Sequence, residues 1–268
     1  MLDLSQHIPE TITALDPIQG FVGNETFRVR TTGETYYLKS GPAVAAEAQA
    51  CRQATDAGVP VPEVVAVDTD QLLLREVPGT AVDPSDVQVL TAAGQLLATL
   101  HQSPGDGYGP LAGPLHTTWS NFLLAEVNAL GGLVTAGLLP EAHRTQLIDL
   151  VHTHATDLDP HHPALLHGDL HPRHIYTTNG TLTAFIDWGD ALYGDPLYDL
   201  ARFSIAGPTA THAVLAGYNL TLTPTLQRTF ALYRAIWSAI VCRAELEANG
   251  DWFDAHLQRI AEDLTYLS

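Results

Sequence analysis

Two aspartates, Asp169 and Asp187, lie eighteen positions apart, and each follows a short apolar stretch of the chain. The first lies in the segment His167–His174 and the second in the segment Phe185–Asp190. Aspartate favours turns, so either residue taken alone is explained as a turn former. Two carboxylates that converge beside a cleft can divide the work of a group transfer: one accepts the proton of a hydroxyl group and the other holds a divalent cation.

The pattern around these aspartates predicts how they are brought together. Residues 165–199 form a dense run of short strands and turns, and a strand, a turn and a second strand separate the two carboxylates. A hairpin at this position returns the chain to the end at which its first strand began. We therefore expect the loops of Asp169 and Asp187 to be adjacent.

Lys39 is the only lysine of the chain, and the other eleven of its twelve basic residues are arginine. Codon bias can make lysine rare, but it does not explain why the single lysine lies in the apolar strand pattern Tyr36–Lys39. Lysine is a compact point charge and is not interchangeable with arginine at a phosphate site. Alone, Lys39 is explained as a surface residue of a strand edge; beside Asp169 and Asp187 it becomes a candidate phosphate ligand.

The remaining patterns divide the chain into a strand-rich beginning and a helical remainder. The expected strands, which include a hairpin over residues 17–40, are 26–30, 35–40, 64–67 and 72–76. The expected helices are 42–57, 87–102, 119–136, 139–156, 225–249 and 252–267. Pro78-Gly79 interrupts the pattern between the two parts, and a ligand cleft is expected at this seam.

Four short motifs of the C-terminal half carry a resemblance to a known family. They are His167–Asp169, Ile186–Trp188, Gly194–Pro196 and Asp199–Ala201, in this order and with suitable spacing. They resemble the aminoglycoside phosphotransferase family, which is related to choline kinases and, by fold, to protein kinases. The resemblance implies an α+β, protein-kinase-like fold of two lobes. Residues 1–77 would form a small β-rich nucleotide-binding lobe, and residues 78–268 a larger, mainly helical lobe for catalysis and substrate binding.

The resemblance also implies a role for each nucleotide-binding residue, with ATP or GTP as the phosphate donor. Lys39 would bridge the α- and β-phosphates, and Glu47 would pair with Lys39 and hold it in place. The backbone of Glu76 and Val77 would contact the adenine edge. The loop that contains Gly20 and Gly23 would cover the phosphates, since glycine adds no side-chain bulk.

In the catalytic loop, the resemblance makes Asp169 the residue that accepts or orients the substrate hydroxyl and Asp187 a ligand of Mg²⁺. Asp199 would tie down the loop, and His167 is expected to have a structural role. His174 stands where the family carries a metal-binding asparagine. Mg²⁺ prefers oxygen ligands, so His174 can coordinate the cation only weakly. Alternatively, His174 bonds a phosphate, or the site holds one metal ion tightly in place of two. Some family members, macrolide kinases among them, also resemble this chain in having histidine here.

The acceptor is less constrained by the sequence. The net charge of −18 argues against nucleic acid and permits a cationic small molecule such as an aminoglycoside. A macrolide, or a sugar or amino-alcohol metabolite, is the alternative acceptor, and a catalytically silent nucleotide-binding relative is the alternative function. Asp190, Asp195 and Glu245 are candidate contacts of an amine-bearing acceptor. Three further residues are open between structural and functional roles: Arg234, Trp237 and Arg243.

Other observations limit the class of protein. Seven histidines fall between positions 152 and 174, but their spacing matches no zinc site and neither cysteine is near them. No apolar run approaches the length of a membrane span, and the N-terminal residues do not resemble a signal peptide. Two cysteines do not make a disulfide framework. The expectation is a cytoplasmic protein with no zinc, no nucleic acid and no membrane partner.

Overall fold

The computed structural model describes residues 2–18, 25–159 and 162–268. Its N-terminal part is built on one antiparallel sheet of five strands. The strand order is β1-β2-β3-β5-β4. The strands are β1 (Ile12–Ile18), β2 (Glu25–Thr31), β3 (Thr35–Ser40), β4 (Val64–Val67) and β5 (Gln71–Arg75). One helix, α1 (Val44–Asp56), connects β3 to β4.

Strand β5 is buried on both faces, and this determines where Lys39 lies. Leu73 packs into an apolar cluster on one face, whereas Leu72 and Leu74 pack with Val44 of α1 on the other. Lys39 is the cross-strand partner of Leu72. Because residues directly opposite each other in a sheet share a face, Lys39 lies on the face that α1 covers.

The C-terminal part is mainly helical. Its helices are α2 (Val87–Leu100), α3 (Trp119–Asn128), α4 (Gly131–Thr135), α5 (Glu141–Leu158), α6 (Pro196–Phe203), α7 (Pro208–Tyr218), α8 (Pro224–Glu247) and α9 (Asp254–Leu267). Its short strands are β6 (Thr80–Ala81), β7 (Gly109–Pro110), β8 (Ala164–Leu166), β9 (Ile175–Thr178), β10 (Thr181–Phe185) and β11 (Leu192–Gly194). They form two three-stranded sheets, ordered β10-β9-β6 and β7-β11-β8.

A single large apolar core joins these elements. Trp119 is fully buried, and its indole donates a hydrogen bond to Tyr233 on α8 at 3.0 Å. Ala50 and Cys51 of α1 belong to the same core. Helix α1 therefore connects the N-terminal sheet to the helical part. None of the helices within the described ranges is long and apolar enough to cross a membrane.

The predicted fold class is confirmed: a small β-rich N-terminal lobe is followed by a larger helical lobe. The boundary after residue 77 falls between β5 and β6 and stays a prediction. Several elements differ from the expectation. Strand β1 was missed, because Asp16-Pro17 resembles a turn. The helix expected over 119–136 is divided into α3 and α4 near Gly131-Gly132, and α6 lies where strands and turns were expected.

Helices α2 and α7 approach each other closely through a glycine on each. A Cβ atom on Gly94 of α2 would collide with the carbonyl oxygen of Val214, and one on Gly217 of α7 would collide with that of Thr91. The colliding atoms belong to helix backbone, which cannot move aside as a side chain can. Packing of the two helices therefore requires glycine at both positions.

The change Gly94→Ala is expected to lower the free energy of unfolding by about 1–3 kcal/mol, because overpacking outweighs the better helix propensity of alanine. The matched control is Gly131→Ala in α4, where a Cβ atom meets nothing within 4 Å. This control should leave stability unchanged or raise it by up to about 1 kcal/mol. Chemical denaturation followed by circular dichroism measures both. Stabilisation by Gly94→Ala would contradict the close helix contact.

Candidate active site

The Lys39 ammonium group lies between two carboxylates from different parts of the chain. Its Nζ donates to Glu47 Oε1 of α1 at 2.6 Å and to Asp187 Oδ1 at 2.9 Å. The side chain of Lys39 is 20% exposed and that of Glu47 only 5%. Burial would lower the pKa of Lys39, but the two carboxylates outweigh it and raise the pKa above its usual value. Lys39 therefore keeps its positive charge.

The hairpin predicted between the two aspartates is present. Strands β9 and β10 pair in antiparallel register, with Ile175 opposite Phe185. Beyond β10 the Ile186 N–H donates to the His174 carbonyl at 2.9 Å, which connects the two loops directly. Asp187 itself has a left-handed backbone with φ of 64°. Aspartate tolerates this conformation better than most residues do. The left-handed residue turns the chain away from the end of β10 and toward the cleft.

Asp199 of α6 fixes the backbone of the loop that carries Asp169. The backbone N–H groups of His167 and Gly168 donate to its two carboxylate oxygens at 2.7 and 2.9 Å, and His101 Nε2 lies 3.2 Å away. Burial would raise the pKa of Asp199, but its bonds with His101 and the loop lower it. The expected anchoring role of Asp199 is confirmed by these contacts.

His167 is fully buried behind the same loop. Its Nε2 lies 2.9 Å from the Ile186 carbonyl, which only accepts, so Nε2 carries the proton. Burial lowers the pKa of the ring, and its faces contact His174 and Trp188. These contacts agree with the structural role expected for His167.

His174 lies between the two aspartates. Its Nδ1 lies 2.8 Å from the Asp169 carbonyl oxygen, which only accepts, so Nδ1 carries a proton. Its Nε2 is 3.7 Å from Asp187 Oδ2. Nε2 therefore lies beside the carboxylate of Asp187, which is the position that the resemblance assigned to a metal ligand.

Asp169 and Asp187 have different surroundings. Arg202 of α6, which is 4% exposed, donates from Nε to Asp169 Oδ1 at 2.8 Å. The side chain of Asp187 is 54% exposed and faces Lys39. The loss of water around Asp187 would raise its pKa, but the Lys39 ammonium outweighs this and lowers the pKa to about 2. Both aspartates therefore have a cationic partner, one guanidinium and one ammonium.

Two cavities meet at these residues. The first, which we call the Lys39 cavity, has a volume of about 570 Å³ and lies between the N-terminal sheet and the segment Ile186–Asp190. The second, the Asp169 cavity, has a volume of about 410 Å³ and lies among the helices of the C-terminal part. Asp190 and Gly189 line both cavities. A molecule in one cavity would therefore lie next to a molecule in the other.

Asp190 is exposed at this junction. The protein around its carboxylate displaces water, and the carboxylates of Asp169 and Asp187 repel its charge; together these effects raise its pKa to about 6. Of the three carboxylates expected to contact an acceptor, Asp190 is the one that lines the Asp169 cavity.

Asp195 and Glu245 lie elsewhere, in the interior. Asp195 caps α6, where its carboxylate accepts from the Leu197 N–H at 3.0 Å and from the Tyr233 hydroxyl at 2.5 Å. Glu245 of α8 is 6% exposed and accepts from the Trp252 N–H at 3.3 Å. Neither carboxylate lines the Asp169 cavity. Their contacts stabilise a helix terminus and a turn, which differs from the expected contact with an acceptor.

The expected nucleotide-binding positions are only partly described. Val77 lines the Lys39 cavity, and its N–H has no hydrogen-bond partner among the residues that the structure describes. The N–H of Glu76 donates to the Thr35 carbonyl at 2.9 Å, while its side chain pairs with Arg28 at 2.6 Å. Gly20 and Gly23 lie outside the described residues.

The sequence analysis missed several residues of the Asp169 cavity. Arg202 was not singled out, although it directly follows the motif Asp199–Ala201. Trp252 was noted only as the start of a helix, and it lines the cavity with Trp237. Arg243, left open before, pairs with Glu126 at 2.7 Å. These residues lie on α6, on α8 and between α8 and α9, so no local pattern of the sequence predicts that they meet.

Arg234 lines neither of the two cavities. Arg234 bonds Asp263 and the Ser204 hydroxyl, away from both aspartate loops. Among the described residues, no three histidine, cysteine or acidic side chains form a cluster that could hold a metal ion by themselves. Cys51 and Cys242 are free thiols and are buried.

Comparison with known proteins gives one family match over most of the chain. The model of the phosphotransferase enzyme family matches residues 15–232. The chain is 27% identical over 170 residues to the hygromycin-B 4-O-kinase of Escherichia coli, a match that covers 56% of this chain and 49% of the relative. A shorter stretch of 62 residues is 39% identical to the uncharacterized protein YcbJ of Bacillus subtilis strain 168, covering 22% of this chain and 20% of the relative. The chain thus aligns with about half, or less, of these two relatives.

Solved structures share the fold over nearly the whole chain. A GDP and kanamycin complex of APH(2")-IIia has a TM-score of 0.75 at 22% identity, covering 98% of this chain and 97% of that one. The macrolide 2'-phosphotransferase MphH of Brachybacterium faecium, as apoenzyme, has a TM-score of 0.69 at 20% identity, covering 98% and 96%. The aminoglycoside phosphotransferase APH(4)-Ia has a TM-score of 0.74 at 19% identity, covering 96% and 95%.

Proposed function

This chain belongs to the phosphotransferase enzyme family, and we propose that it is a small-molecule kinase that transfers the γ-phosphate of ATP or GTP to a hydroxyl group of its acceptor. One observation carries the proposal. Lys39 of the sheet is ion-paired to Glu47 and Asp187 in one cavity, and Asp169 lines a second cavity that meets the first. In this arrangement Lys39 would bind phosphate and Asp169 would accept the hydroxyl proton, on opposite sides of one junction.

The Lys39 cavity is proposed to hold the nucleotide. Phosphoryl transfer depends on positioning and charge stabilisation, so a fixed ammonium is its main requirement on this side. Lys39 would bond the phosphates while Glu47 holds its Nζ, which is 2.6 Å from the Glu47 carboxylate. The unpartnered N–H of Val77 is a donor for the base edge. The covering role of Gly20 and Gly23 stays a prediction.

Asp169 is proposed to accept the proton of the acceptor hydroxyl. As the hydroxyl oxygen forms its bond to the γ-phosphorus, the bond from that phosphorus to the bridging oxygen breaks, and the nucleoside diphosphate leaves. The released proton passes to the Asp169 carboxylate. Arg202 holds one oxygen of this carboxylate at 2.8 Å, which orients the other oxygen.

The donor set at Asp187 fits one Mg²⁺ ion. The exposed carboxylate of Asp187 and Nε2 of His174 face the same space, 3.7 Å apart. Mg²⁺ usually takes one or two protein carboxylates and completes its shell with substrate phosphates and water, so a cage of three protein ligands is not required. When bound, the ion would neutralise charge on the transferring phosphate. His174 is proposed as a weak ligand, since imidazole suits Mg²⁺ less than oxygen does.

The acceptor was expected to be an aminoglycoside, with a macrolide or a sugar or amino alcohol as the alternative. Relatives of this chain include a structure named for kanamycin and one named for a macrolide phosphotransferase, so the comparisons do not select between these classes. The expectation of a cationic acceptor rested on the charge of the entire chain. The side chains of the Asp169 cavity are a more direct guide.

Asp169→Asn is expected to lower phosphoryl transfer by about 10²–10⁴-fold, because an amide cannot accept the hydroxyl proton. The amide oxygen can still accept from Arg202, so folding and nucleotide affinity should be retained. Acceptor-dependent ADP release, measured with ATP, GTP and Mg²⁺ over aminoglycosides, macrolides, sugars and amino alcohols, tests transfer. Calorimetry tests nucleotide binding.

The matched control is Asp83→Asn, at an exposed turn where Ser85 is the one partner of the Asp83 carboxylate among the described residues. It should keep full activity. Wild-type turnover by Asp169→Asn would contradict the assignment of the base. ATP binding with no ADP release for any acceptor would instead contradict the kinase proposal and favour the catalytically silent relative.

His174→Asn is expected to lower the Mg²⁺ concentration for half-maximal transfer, because the amide supplies the hard oxygen that Mg²⁺ prefers. The advantage of Mn²⁺ over Mg²⁺ should shrink in the same variant, since Mn²⁺ accepts imidazole more readily. Transfer rates over a titration of each metal measure both effects, with the partly exposed surface change His154→Asn as control. An unchanged response to both metals would remove His174 from the ion site.

A further inference from the structure

The charges that line the Asp169 cavity are balanced, unlike those of the chain as a whole. Its ionisable side chains are three carboxylates and three guanidinium groups: Glu126, Asp169, Asp190, Arg173, Arg202 and Arg243. Two carboxylates are already paired, Asp169 with Arg202 at 2.8 Å and Glu126 with Arg243 at 2.7 Å. The excess negative charge of the chain, −18 in total, therefore does not extend into this cavity.

This balance disfavours an acceptor with several positive charges. Such a molecule would have to lose water beside three guanidinium groups, and one carboxylate, Asp190, would be left to pair with it. Desolvated cations that lack partners are costly. The guanidinium groups inside the cavity would repel a polycation, and such repulsion determines specificity as much as favourable contacts with the correct ligand do.

The other walls of the cavity are aromatic and aliphatic. Phe122, Tyr198 and Trp237 line it and are nearly buried, whereas Trp252 lines it with 51% of its surface exposed. About half of the Trp252 surface therefore remains exposed and apolar at the edge of the cavity. Aromatic side chains of this kind bind the apolar face of a ligand by stacking and burial.

Trp252 is held in place from behind. Its ring meets His256 edge to face at 4.8 Å, and the backbone N–H of Trp252 donates to the Glu245 carboxylate at 3.3 Å. His256 is buried, and neither ring nitrogen has a hydrogen-bond partner among the described residues. Burial lowers the pKa of His256 to about 4, so the ring is neutral and acts as an apolar support. Glu245 thus acts on the cavity through Trp252.

The aromatic wall is also joined to the proposed base. The Arg202 guanidinium lies over the ring of Trp237 at 3.9 Å and donates to Asp169. A ligand that packs against Trp237 and Trp252 would therefore lie beside the carboxylate that must meet its hydroxyl group.

From these observations we propose that the acceptor is an amphiphilic hydroxyl compound with at most one positive charge, and that its apolar face stacks on Trp252. The inference rests on the proposed function, because it identifies the Asp169 cavity as the acceptor site. It names the chemical class of the acceptor and assigns Trp252 as a residue that determines specificity.

Calorimetric titration without nucleotide tests the class of acceptor separately from transfer. The probes are erythromycin, an amphiphilic polyol with one amine, and kanamycin, a polyamine. Erythromycin is expected to bind at least about tenfold more tightly than kanamycin. Its affinity should change little between about 0.05 M and about 0.5 M NaCl, because apolar contacts are not screened as charges are. Tighter binding of kanamycin, or no binding of erythromycin, overturns the proposal.

The variant Trp252→Ala is expected to weaken erythromycin binding by about tenfold, as removal of an exposed aromatic anchor does. Trp252→Phe, which keeps a ring, should retain affinity within about threefold. Because Trp252 is half exposed, both variants should melt like the wild type. Unchanged binding by Trp252→Ala overturns the role of the indole. If erythromycin binds in a Trp252-dependent way but promotes no ADP release, the result upholds the acceptor class and contradicts the proposed transfer.

Discussion

The ammonium group of Lys39, held by Glu47 and Asp187, is the interaction on which the site depends. It joins three segments that are distant in sequence: β3, α1 and the loop after β10. The site requires this ammonium group because the Glu47 side chain is only 5% exposed. A buried carboxylate without a cationic partner would lower the free energy of unfolding. The same cation lowers the pKa of Asp187. One charge therefore keeps the helix, the sheet and the candidate metal ligand in a fixed relation, before any nucleotide binds.

The second half of the site depends on a buried carboxylate that lines neither cavity. Asp199 holds the backbone of the loop at His167 and Gly168, and α6, the helix that supplies it, also supplies Arg202 for Asp169. A short helix thus sets both the position and the orientation of the proposed base. The wall of the Asp169 cavity is tied to the same residues through Trp237. We infer that the base and the acceptor site are positioned together.

Much of this arrangement could be predicted from the sequence, because the relevant residues are close in sequence or belong to short motifs. The hairpin between Asp169 and Asp187, the strand of Lys39 and the helix of Glu47 have clear local patterns, and their meeting is confirmed. Asp195 was expected to contact an acceptor, yet its carboxylate caps α6 inside the core. Motif membership does not distinguish a cap from a ligand contact. The charge balance of the Asp169 cavity could not be predicted at all, since its arginines and tryptophans come from four separate segments: the turn before β9, α6, α8 and the connection between α8 and α9.

Calorimetric titration of Lys39→Met with Mg²⁺-ATP and, separately, with adenosine tests the central claim most directly. If Lys39 is the phosphate-binding cation, the variant should lose at least about tenfold in affinity for Mg²⁺-ATP, the loss expected for a charge-assisted bond of about 1.5–3 kcal/mol. Its affinity for adenosine, which has no phosphates, should stay at the wild-type value. Adenosine binding also shows that the cavity has kept its shape without the ion pair. Unchanged affinity for Mg²⁺-ATP beside normal adenosine binding would contradict the account.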